Sequence, residues 1–277
     1  GYTEEEKVKI AQQYLIPKQI KAHGLKPKNF SISEKTLRDL INYYTRESGV
    51  RNLEREIGSL CRKVARKIVS KKGTAFKITP AGLEKYLGKK RFRYDLVEGE
   101  SEVGVTTGMA WTQVGGDTLF IETALVPGKG KVQLTGQLGD VMKESAEIAV
   151  SLVKSLYPKE TADWEKYDLH IHVPEGAVPK DGPSAGITLT TALASLVTGK
   201  AVSPEYAMTG EVSLRGCVMP IGGLPEKLMA AQRAGITKVL IPYENMDDLS
   251  DVADEVKEKL EIIPVKKVTD VLKLVLK

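Results

Sequence analysis

The hydrophobic pattern of this chain changes its period part-way along the sequence. Up to residue 93, apolar residues recur every three or four positions, as from Leu53 to Ile68, which is the spacing of an amphipathic helix. From about Glu102 they alternate instead, as from Leu119 to Leu125, which is typical of strands. The pattern predicts an α+β protein in which an N-terminal helical bundle, residues 1–93, is followed by a mixed α/β domain, residues 94–277.

Local signals predict where the helices of the first part begin and end. One helix is predicted over Glu4–Leu15, and Pro17 is expected to interrupt it, because proline lacks the amide hydrogen that an internal helical turn requires. Three further helix starts are predicted: at Ser31 or Ser33, at Asn52 or the turn before it, and at Thr79-Pro80.

In the second part, predicted strands alternate with predicted helices. Gly115-Gly116-Asp117 separates two alternating runs and predicts a hairpin turn. The predicted helices are Leu138–Leu156, Ser184–Leu196 and Leu224–Ala234, and the predicted later strands are Leu169–Val173, Val239–Pro242 and Ile262–Val265.

The formal net charge of +5 is the sum of two opposed parts. Residues 1–93 contain 23 Lys and Arg against 9 Asp and Glu, a balance of +14, whereas the remaining residues contain 18 and 27, a balance of −9. Such a basic excess is typical of surfaces that bind nucleic acids or other anions. Solvated helix faces are the alternative, because the basic residues are spread over several helices.

Composition excludes several classes of protein. No apolar run reaches the roughly 18 residues of a membrane-spanning helix. The start, Gly1-Tyr2-Thr3, has neither Met nor an apolar signal segment, so we expect part of a longer protein. Cys61 and Cys217 are too few for a disulfide framework or a zinc site. We therefore expect a cytoplasmic protein that needs no metal site of its own.

The segment Gly182-Pro-Ser184-Ala-Gly186 fits the pattern G-x-S-x-G. In that pattern the glycines allow a tight turn that exposes the serine hydroxyl at the start of a helix. Free backbone N–H groups at the helix start are suited to a developing oxyanion. Taken alone the signal is weak, since small residues are common at helix starts.

A nucleophilic serine requires a base, and the histidines are poorly placed to supply it. No histidine follows His172, which excludes the order in which the histidine comes after the serine. The reverse order would use His170 or His172 with Asp168 or Asp181, all within sixteen residues of Ser184. His170 and His172 alternate on one strand face and lack an evident third metal ligand, which favours a structural role.

Lysine is the other candidate base. Lys227 lies three residues after Leu224 and four before Ala231, inside the apolar stripe of its predicted helix. Burial there would lower its pKa and supply a neutral amine near pH 7. The alternative is a side chain that extends from the edge of the stripe into water. Thr209, in Met208-Thr-Gly-Glu211, could hold such an amine.

Seven separated motifs, in order along the chain, resemble the proteolytic domain of the Lon family of ATP-dependent proteases. The motifs are Gly108-Met-Ala-Trp-Thr, Ile121-Glu-Thr, Pro127-Gly-Lys-Gly-Lys, His170-Ile-His-Val-Pro-Glu-Gly, Pro179-Lys-Asp-Gly-Pro-Ser-Ala-Gly, Met208-Thr-Gly-Glu and Pro220-Ile-Gly-Gly-Leu-Pro-Glu-Lys. The resemblance implies a serine endopeptidase in which Ser184 is the nucleophile and Lys227 the general base.

Other residues take supporting roles in this interpretation. Thr209 would orient the lysine. Asp181 is expected to gate the site, since its carboxylate could form a salt bridge with Lys227. Two roles are open for Trp111, Glu122 and His172. Each is expected either to contact the residues of the site without touching the substrate or to be a buried structural residue.

The helical part resembles the small lid subdomain of the Lon AAA+ ATPase, on the stretch Glu47-Ser-Gly-Val-Arg51-Asn-Leu-Glu-Arg-Glu56. By that resemblance Arg51 would be the sensor arginine that reaches the nucleotide phosphates, and the parent would use ATP with magnesium. No G-x-x-x-x-G-K-[S/T] occurs in these 277 residues. We therefore expect no ATP hydrolysis by this chain, and no cofactor requirement for the serine–lysine pair.

The resemblance also implies partners for the parent protein: unfolded protein substrates and a hexameric ring of identical chains. Two other functions stay open from the sequence. One is a proteolytically silent Lon-like interaction or DNA-binding module, which the basic helical part favours. The other is a small-molecule hydrolase that uses the same two residues.

Overall fold

The structure is a computed structural model that describes residues 1–92, 101–112, 115–176 and 178–276. These residues form two compact units, a helical one up to residue 92 and a strand-containing one from residue 101. The predicted mixed fold, helices first and a sheet-containing domain second, is confirmed. The predicted boundary between residues 93 and 94 lies outside the described residues.

The helical unit has five α-helices around an apolar core. Its core includes Leu37, Leu40, Leu53, Ile57 and Leu60, all nearly or fully buried, as the three-to-four residue spacing predicts. The helices are α1 Glu4–Ile10, α2 Ile16–Ala22, α3 Glu34–Tyr44, α4 Arg51–Val69 and α5 Pro80–Leu87, and two short parallel strands are β1 Phe30–Ile32 and β2 Phe76–Ile78.

Pro17 does not interrupt the first helix, so that prediction is wrong. A wide π-helical turn, Ala11–Leu15, connects α1 to α2, and the Ile16 amide reaches back five residues to the Ala11 carbonyl. Proline in a regular helix leaves one carbonyl unpaired and collides with the preceding turn. The wider turn just before Pro17 changes the register of the ladder there, so the chain stays helical to residue 22.

The other helix starts follow their sequence signals. Of the two candidate serines, Ser33 caps α3, and Thr79 caps α5 through its side-chain oxygen. The α4 helix begins at its arginine without a cap from the preceding residue. Instead the Glu47 carboxylate accepts hydrogen bonds from the amides of Asn52 and Leu53, each 2.9 Å long. A carboxylate at this end also suits the helix dipole.

The second unit is built on a seven-stranded mixed sheet with the strand order β11-β10-β7-β3-β4-β6-β5. Its strands are β3 Val105–Thr112, β4 Gly115–Pro127, β5 Val132–Thr135, β6 Tyr167–His172, β7 Tyr206–Met208, β10 Lys238–Pro242 and β11 Glu261–Val265, and a separate two-stranded sheet holds β8 Glu211–Val212 and β9 Val218–Met219. Its helices are α6 Asp140–Leu156, α7 Gly186–Thr198, α8 Leu224–Arg233, α9 Asp254–Lys259 and α10 Val268–Val275.

Parallel pairing joins β3, β7, β10 and β11 on one side of the sheet. On the other side β4 runs antiparallel to β6, and β6 runs parallel to β5. The α7 helix is buried almost all round and contacts α6, α10 and β3. Its buried threonines Thr190 and Thr191 donate to the carbonyls of Gly186 and Ile187 in the same helix, so a helix buried on every side leaves these hydroxyls paired. This helix follows directly on the turn that carries Ser184. None of the described helices is long and apolar enough to cross a membrane.

The consecutive strands β3 and β4 are neighbours in the sheet, as the predicted hairpin requires, but Gly115-Gly116-Asp117 forms the start of β4 and not the turn itself. The two residues before it lie outside the described part of the chain. The glycines have a packing reason: a Cβ on Gly116 would lie 2.0 Å from the carbonyl oxygen of Glu226 in α8. Only a residue without a side chain lets the strand pass that close to the first turn of the helix.

Candidate active site

Ser184 lies in the tight turn that leads into α7, two residues before the helix begins. Both glycines of its motif have structural reasons. Gly182 has φ of +105°, a conformation that L-residues with side chains rarely adopt. Gly186 packs against the chain at Val212, and a Cβ there would lie 2.9 Å from the Val212 amide nitrogen. A positive φ therefore explains the first glycine of the motif, and a close backbone contact explains the second.

The chain that follows β7 supports this turn from the other side. The Gly210 amide donates to the Ser184 carbonyl over 2.8 Å, and the Ile187 amide donates back to the Gly210 carbonyl over 2.9 Å. The Thr209 amide donates to the carbonyl of Leu240 in the neighbouring strand over 3.1 Å. The serine turn is thus attached to the sheet through the dipeptide Thr209-Gly210.

Lys227 projects from the first turn of α8 into the core and is only 2% exposed. Its amine donates to the Thr209 hydroxyl over 3.2 Å, and Thr209 is itself fully buried. Burial lowers the pKa of Lys227 from 10.5 to about 8, since a charged amine is disfavoured away from water. The alternative of a side chain extending into water is wrong.

Ser184 and Lys227 are therefore joined to the same dipeptide, one through the amide of Gly210 and the other through the hydroxyl of Thr209. Among the described residues, the amine bonds to Thr209 and not to the Ser184 hydroxyl. In the same part of the chain, the backbone N–H groups of Ser184 and Ala185 donate no hydrogen bond. The arrangement suits nucleophilic hydrolysis in which an amine takes the place of a histidine.

Three residues support the start of α8 in a way that the sequence did not predict. Gly223 is left-handed, with φ of +71°, and a Cβ there would lie 2.9 Å from the Trp111 ring. The buried Asn245 side chain accepts from the Ile221 amide over 2.9 Å and donates to the Ile221 carbonyl over 2.8 Å. Gly116 is the third, through its contact with α8. No local signal identifies Asn245, because its partner lies 24 residues away.

Trp111 and Glu122 are exposed, so the expectation that they are buried structural residues is wrong; Trp111 is 56% exposed. Glu122 lies opposite His172 in the pairing of β4 with β6. His170 and His172 share the Thr135 hydroxyl, at 2.9 and 2.7 Å. The described residues contain no group of three potential metal ligands.

Asp181 acts in this structure as a cap for α6. Its carboxylate accepts from the amides of Met142, over 3.0 Å, and Gly182, over 2.8 Å, and these backbone bonds lower its pKa. No ion pair between Asp181 and Lys227 is formed among the described residues. The geometry thus brings together Ser184, Thr209 and Lys227 and leaves Asp181 bonded elsewhere.

Arg51 is the first residue of α4, and its side chain is exposed. Within the described residues no hydrogen bond or ion pair engages its guanidinium group. Arg51 is therefore available for an anionic partner. It is the one phosphate-binding residue that the sequence analysis predicts.

Comparison with known proteins identifies the class of protein. A family model described as the Lon protease C-terminal proteolytic domain matches residues 77–277, and one described as the Lon protease AAA+ ATPase lid domain matches residues 21–76. The chain belongs to the Lon protease family.

Individual relatives agree with this assignment. The Lon protease of Syntrophomonas wolfei is 56% identical over 275 residues, which are 98% of this chain and 34% of that protein. The Lon proteases of Brucella suis and Azospirillum brasilense are 54% and 55% identical over 99% of this chain, again covering 34% of each relative. The chain spans about a third of the length of these relatives.

Replacing Lys227 with methionine should stabilise the fold. The unfolded chain binds more protons than the folded one between the folded pKa, about 8, and the usual value of 10.5, so stability should rise with pH across that range. We expect Lys227→Met to raise the free energy of unfolding at pH 7 by about 1–3 kcal/mol, after loss of the Thr209 bond. In this variant, the free energy of unfolding should no longer rise with pH above pH 8.

Chemical denaturation at pH 7, 8.5 and 10 measures both effects. Lys143→Met is the matched control, because Lys143 is an exposed lysine on α6 and should change neither the stability nor its slope. A Lys227→Met protein that is less stable than the unaltered protein at pH 7, and keeps the slope, would contradict the prediction.

Proposed function

We propose that this chain is the peptidase part of an ATP-dependent protease and hydrolyses internal peptide bonds of unfolded proteins through Ser184 and Lys227. One observation carries the proposal: a buried lysine with a pKa of about 8 is bonded to Thr209, next to the residue that holds the Ser184 turn. An amine with this pKa is partly neutral near pH 7 and can accept a proton.

The proposed reaction has two stages, acylation of Ser184 and hydrolysis of the resulting ester. Neutral Lys227 takes the proton from the Ser184 hydroxyl as its oxygen attacks the scissile carbonyl, and a tetrahedral oxyanion forms. Lys227 then gives that proton to the leaving amine, which departs and leaves an ester on Ser184. Water, deprotonated by Lys227 in the same way, hydrolyses the ester and regenerates the serine. Thr209 keeps the amine pointing toward the serine throughout.

The unused N–H groups of Ser184 and Ala185 supply the oxyanion donors. They lie at the start of α7, where the helix dipole also favours negative charge. In comparable sites the removal of one such donor costs about 3 kcal/mol of transition-state stabilisation. No metal or cofactor takes part in these steps.

Two other functions fit the site less well. A silent interaction module has no need for a buried lysine, which lowers stability at neutral pH. A small-molecule hydrolase has no need for a helical unit of the kind found in AAA+ proteins. Cleavage of unfolded protein separates all three.

The rest of the assignment concerns the longer parent protein. We assign residues 1–93 to the ATPase lid and 94–277 to the proteolytic domain, because Leu83 of α5 packs in the core of the helical unit. Arg51 would contact the phosphates of ATP with magnesium, held by the remainder of the ATPase. A homohexameric ring and a cytoplasmic location complete the proposal, the latter supported by two free cysteines.

Loss of either reactive side chain should abolish cleavage. We expect Ser184→Ala and Lys227→Ala each to reduce hydrolysis of an unfolded protein such as casein to background, since one removes the nucleophile and the other its base. Thr209→Val should lower kcat but leave measurable activity. Gel and mass-spectrometric detection of fragments measures this, with Ser213→Ala as the control serine. Cleavage activity that survives in either alanine variant would contradict the assignment of Ser184 as nucleophile and Lys227 as base.

The pH dependence of kcat/KM should show the pKa of the general base. We expect kcat/KM for an unfolded peptide to rise with pH through a midpoint near 8 and then level off, because Lys227 must be neutral to accept the proton. Initial rates from pH 6 to 10 measure the midpoint. His172→Gln should leave it in place. A midpoint that moves in this variant would assign the base to histidine instead.

A second proposal concerns DNA binding by the helical unit. Arg51, Arg55, Arg62 and Arg66 are all exposed on α4, and their spacing puts them within about 60° of one another over about 22 Å of helix. In the described residues no carboxylate pairs with these four, whereas Arg38 pairs with Glu4, Glu5 and Glu34. A row of free arginines suits the phosphates of a nucleic acid.

Salt dependence tests this second proposal. We expect replacement of Arg55, Arg62 and Arg66 by glutamine to weaken binding to duplex DNA, and to reduce the slope of log affinity against log salt by about 1 per lost phosphate contact. Fluorescence anisotropy at several salt concentrations measures the slope. Glutamine at Lys154 and Lys159, exposed lysines of the second unit, is the control. An unchanged slope in the arginine variant would refute the proposal.

A further inference from the structure

Lys180 is bonded to two separate segments of the chain near the serine turn. Its ammonium group donates to the carbonyl oxygens of Gly136 over 3.0 Å, Val173 over 3.1 Å and Glu175 over 2.6 Å. An ammonium group has three N–H donors, so all of them are used on backbone. The side chain is partly buried, which lowers its pKa.

The backbone of Lys180 also bonds to the segment that contains Gly136. Its amide donates to the Gln137 carbonyl over 3.0 Å, and its carbonyl accepts from the Gly139 amide over 2.8 Å. Residues 136–139, between β5 and α6, and residues 173–175, after β6, are therefore both attached to Lys180. The attachment lies four residues before Ser184.

Both attached segments contain backbone in an unfavourable conformation. Gln137 and Glu175 have φ of +54° and +62°, a left-handed conformation that is unfavourable for residues with side chains. Gly136 approaches the chain so closely that a Cβ would lie 2.3 Å from the Val173 carbonyl oxygen. That oxygen is one of the three acceptors of Lys180, which supplies the positive charge between these crowded carbonyls.

The serine turn begins directly after this attachment. Asp181 caps α6, and only Gly182 and Pro183 separate it from Ser184, whose carbonyl is held by the Gly210 amide. The turn is therefore fixed at both ends, at Lys180-Asp181 before the serine and at Gly210 after it. Gly182, with φ of +105°, gives the intervening backbone no stiffness of its own.

We infer that Lys180 is a positioning residue for Ser184, acting through the loop that its ammonium group attaches to the ends of β5 and β6. The inference rests on the proposed peptidase function and adds to it a residue that touches none of the reacting atoms. Removing the ammonium group leaves three carbonyls without their donor, and the loop is expected to shift. Small displacements of a reacting atom lower rates by about 10- to 100-fold.

Lys180→Met tests the inference, with Lys143→Met as the matched control. We expect kcat for an unfolded peptide to fall about 10- to 100-fold while KM changes less than about twofold, because Lys180 does not contact the reacting atoms. The midpoint of the pH profile should stay where Lys227 sets it. Hydrogen exchange should quicken over residues 136–142 and 173–186 and stay unchanged in α10. Equal kcat in the two variants, or faster exchange throughout the unit, would overturn the inference.

A second variant covers the case in which Lys180→Met does not fold. Lys180→Ala leaves room for a small amine, and we expect added ethylammonium to restore part of kcat in this variant but not in Ser184→Ala. No rescue would count against a positioning role. If the unaltered protein cleaves no peptide, the proposed function fails, and hydrogen exchange over residues 182–186 still decides whether Lys180 holds the serine turn.

Discussion

The burial of one amine organises the second unit of this protein. Lys227 projects from α8 into the core, where it is almost fully buried. Among the described residues, its amine makes one hydrogen bond, to the Thr209 hydroxyl. Burying an amine is unfavourable while it is charged, so the surrounding chain has to hold it in place. The same unfavourable burial makes the amine a usable base near neutral pH. Stability and reactivity are therefore opposed at this residue.

Close contacts of the backbone mainly keep Lys227 and Ser184 in place. Gly223 and Gly116 let the chain come close to the first turn of α8, and Asn245 binds both polar backbone groups of Ile221 before it. On the serine side, Gly186 allows a similar close approach to Val212. Close-packed backbone tolerates little movement, so these contacts restrict both the first turn of α8 and the chain that follows Ser184.

Much of this could be predicted from residue patterns. Hydrophobic period predicted the helical unit and the strand-containing unit, because burial of one helix face or one strand face repeats every three to four or every two residues. The position of Lys227 within its apolar stripe gave a buried amine as one of two alternatives, and the glycines around Ser184 predicted a tight turn. Resemblance was needed to pair the two residues, since they lie 43 positions apart.

The predictions that failed concern residues whose role depends on distant neighbours. Pro17 was expected to end a helix, but a π-turn and the core of the helical unit keep the chain helical. Gly115-Gly116-Asp117 was expected to turn, but Gly116 is required where β4 passes α8. Asp181 forms no ion pair with Lys227 among the described residues and caps α6 instead, and its gating role stays a prediction. Each signal was genuine as local chemistry, and tertiary packing decided how it was used.

The sequence by itself therefore determined the two units, the order of helices and strands, and the types of residue able to react, because these follow from local spacing and side-chain chemistry. Only the tertiary structure decided that the dipeptide Thr209-Gly210 joins Ser184 to Lys227, and that Lys180 and Asn245 hold their loops. Apart from the bond between the Lys227 amine and the Thr209 hydroxyl, those contacts are made to backbone carbonyls and amides. Every residue has a carbonyl and every residue except proline has an amide hydrogen, so no sequence pattern marks these contacts.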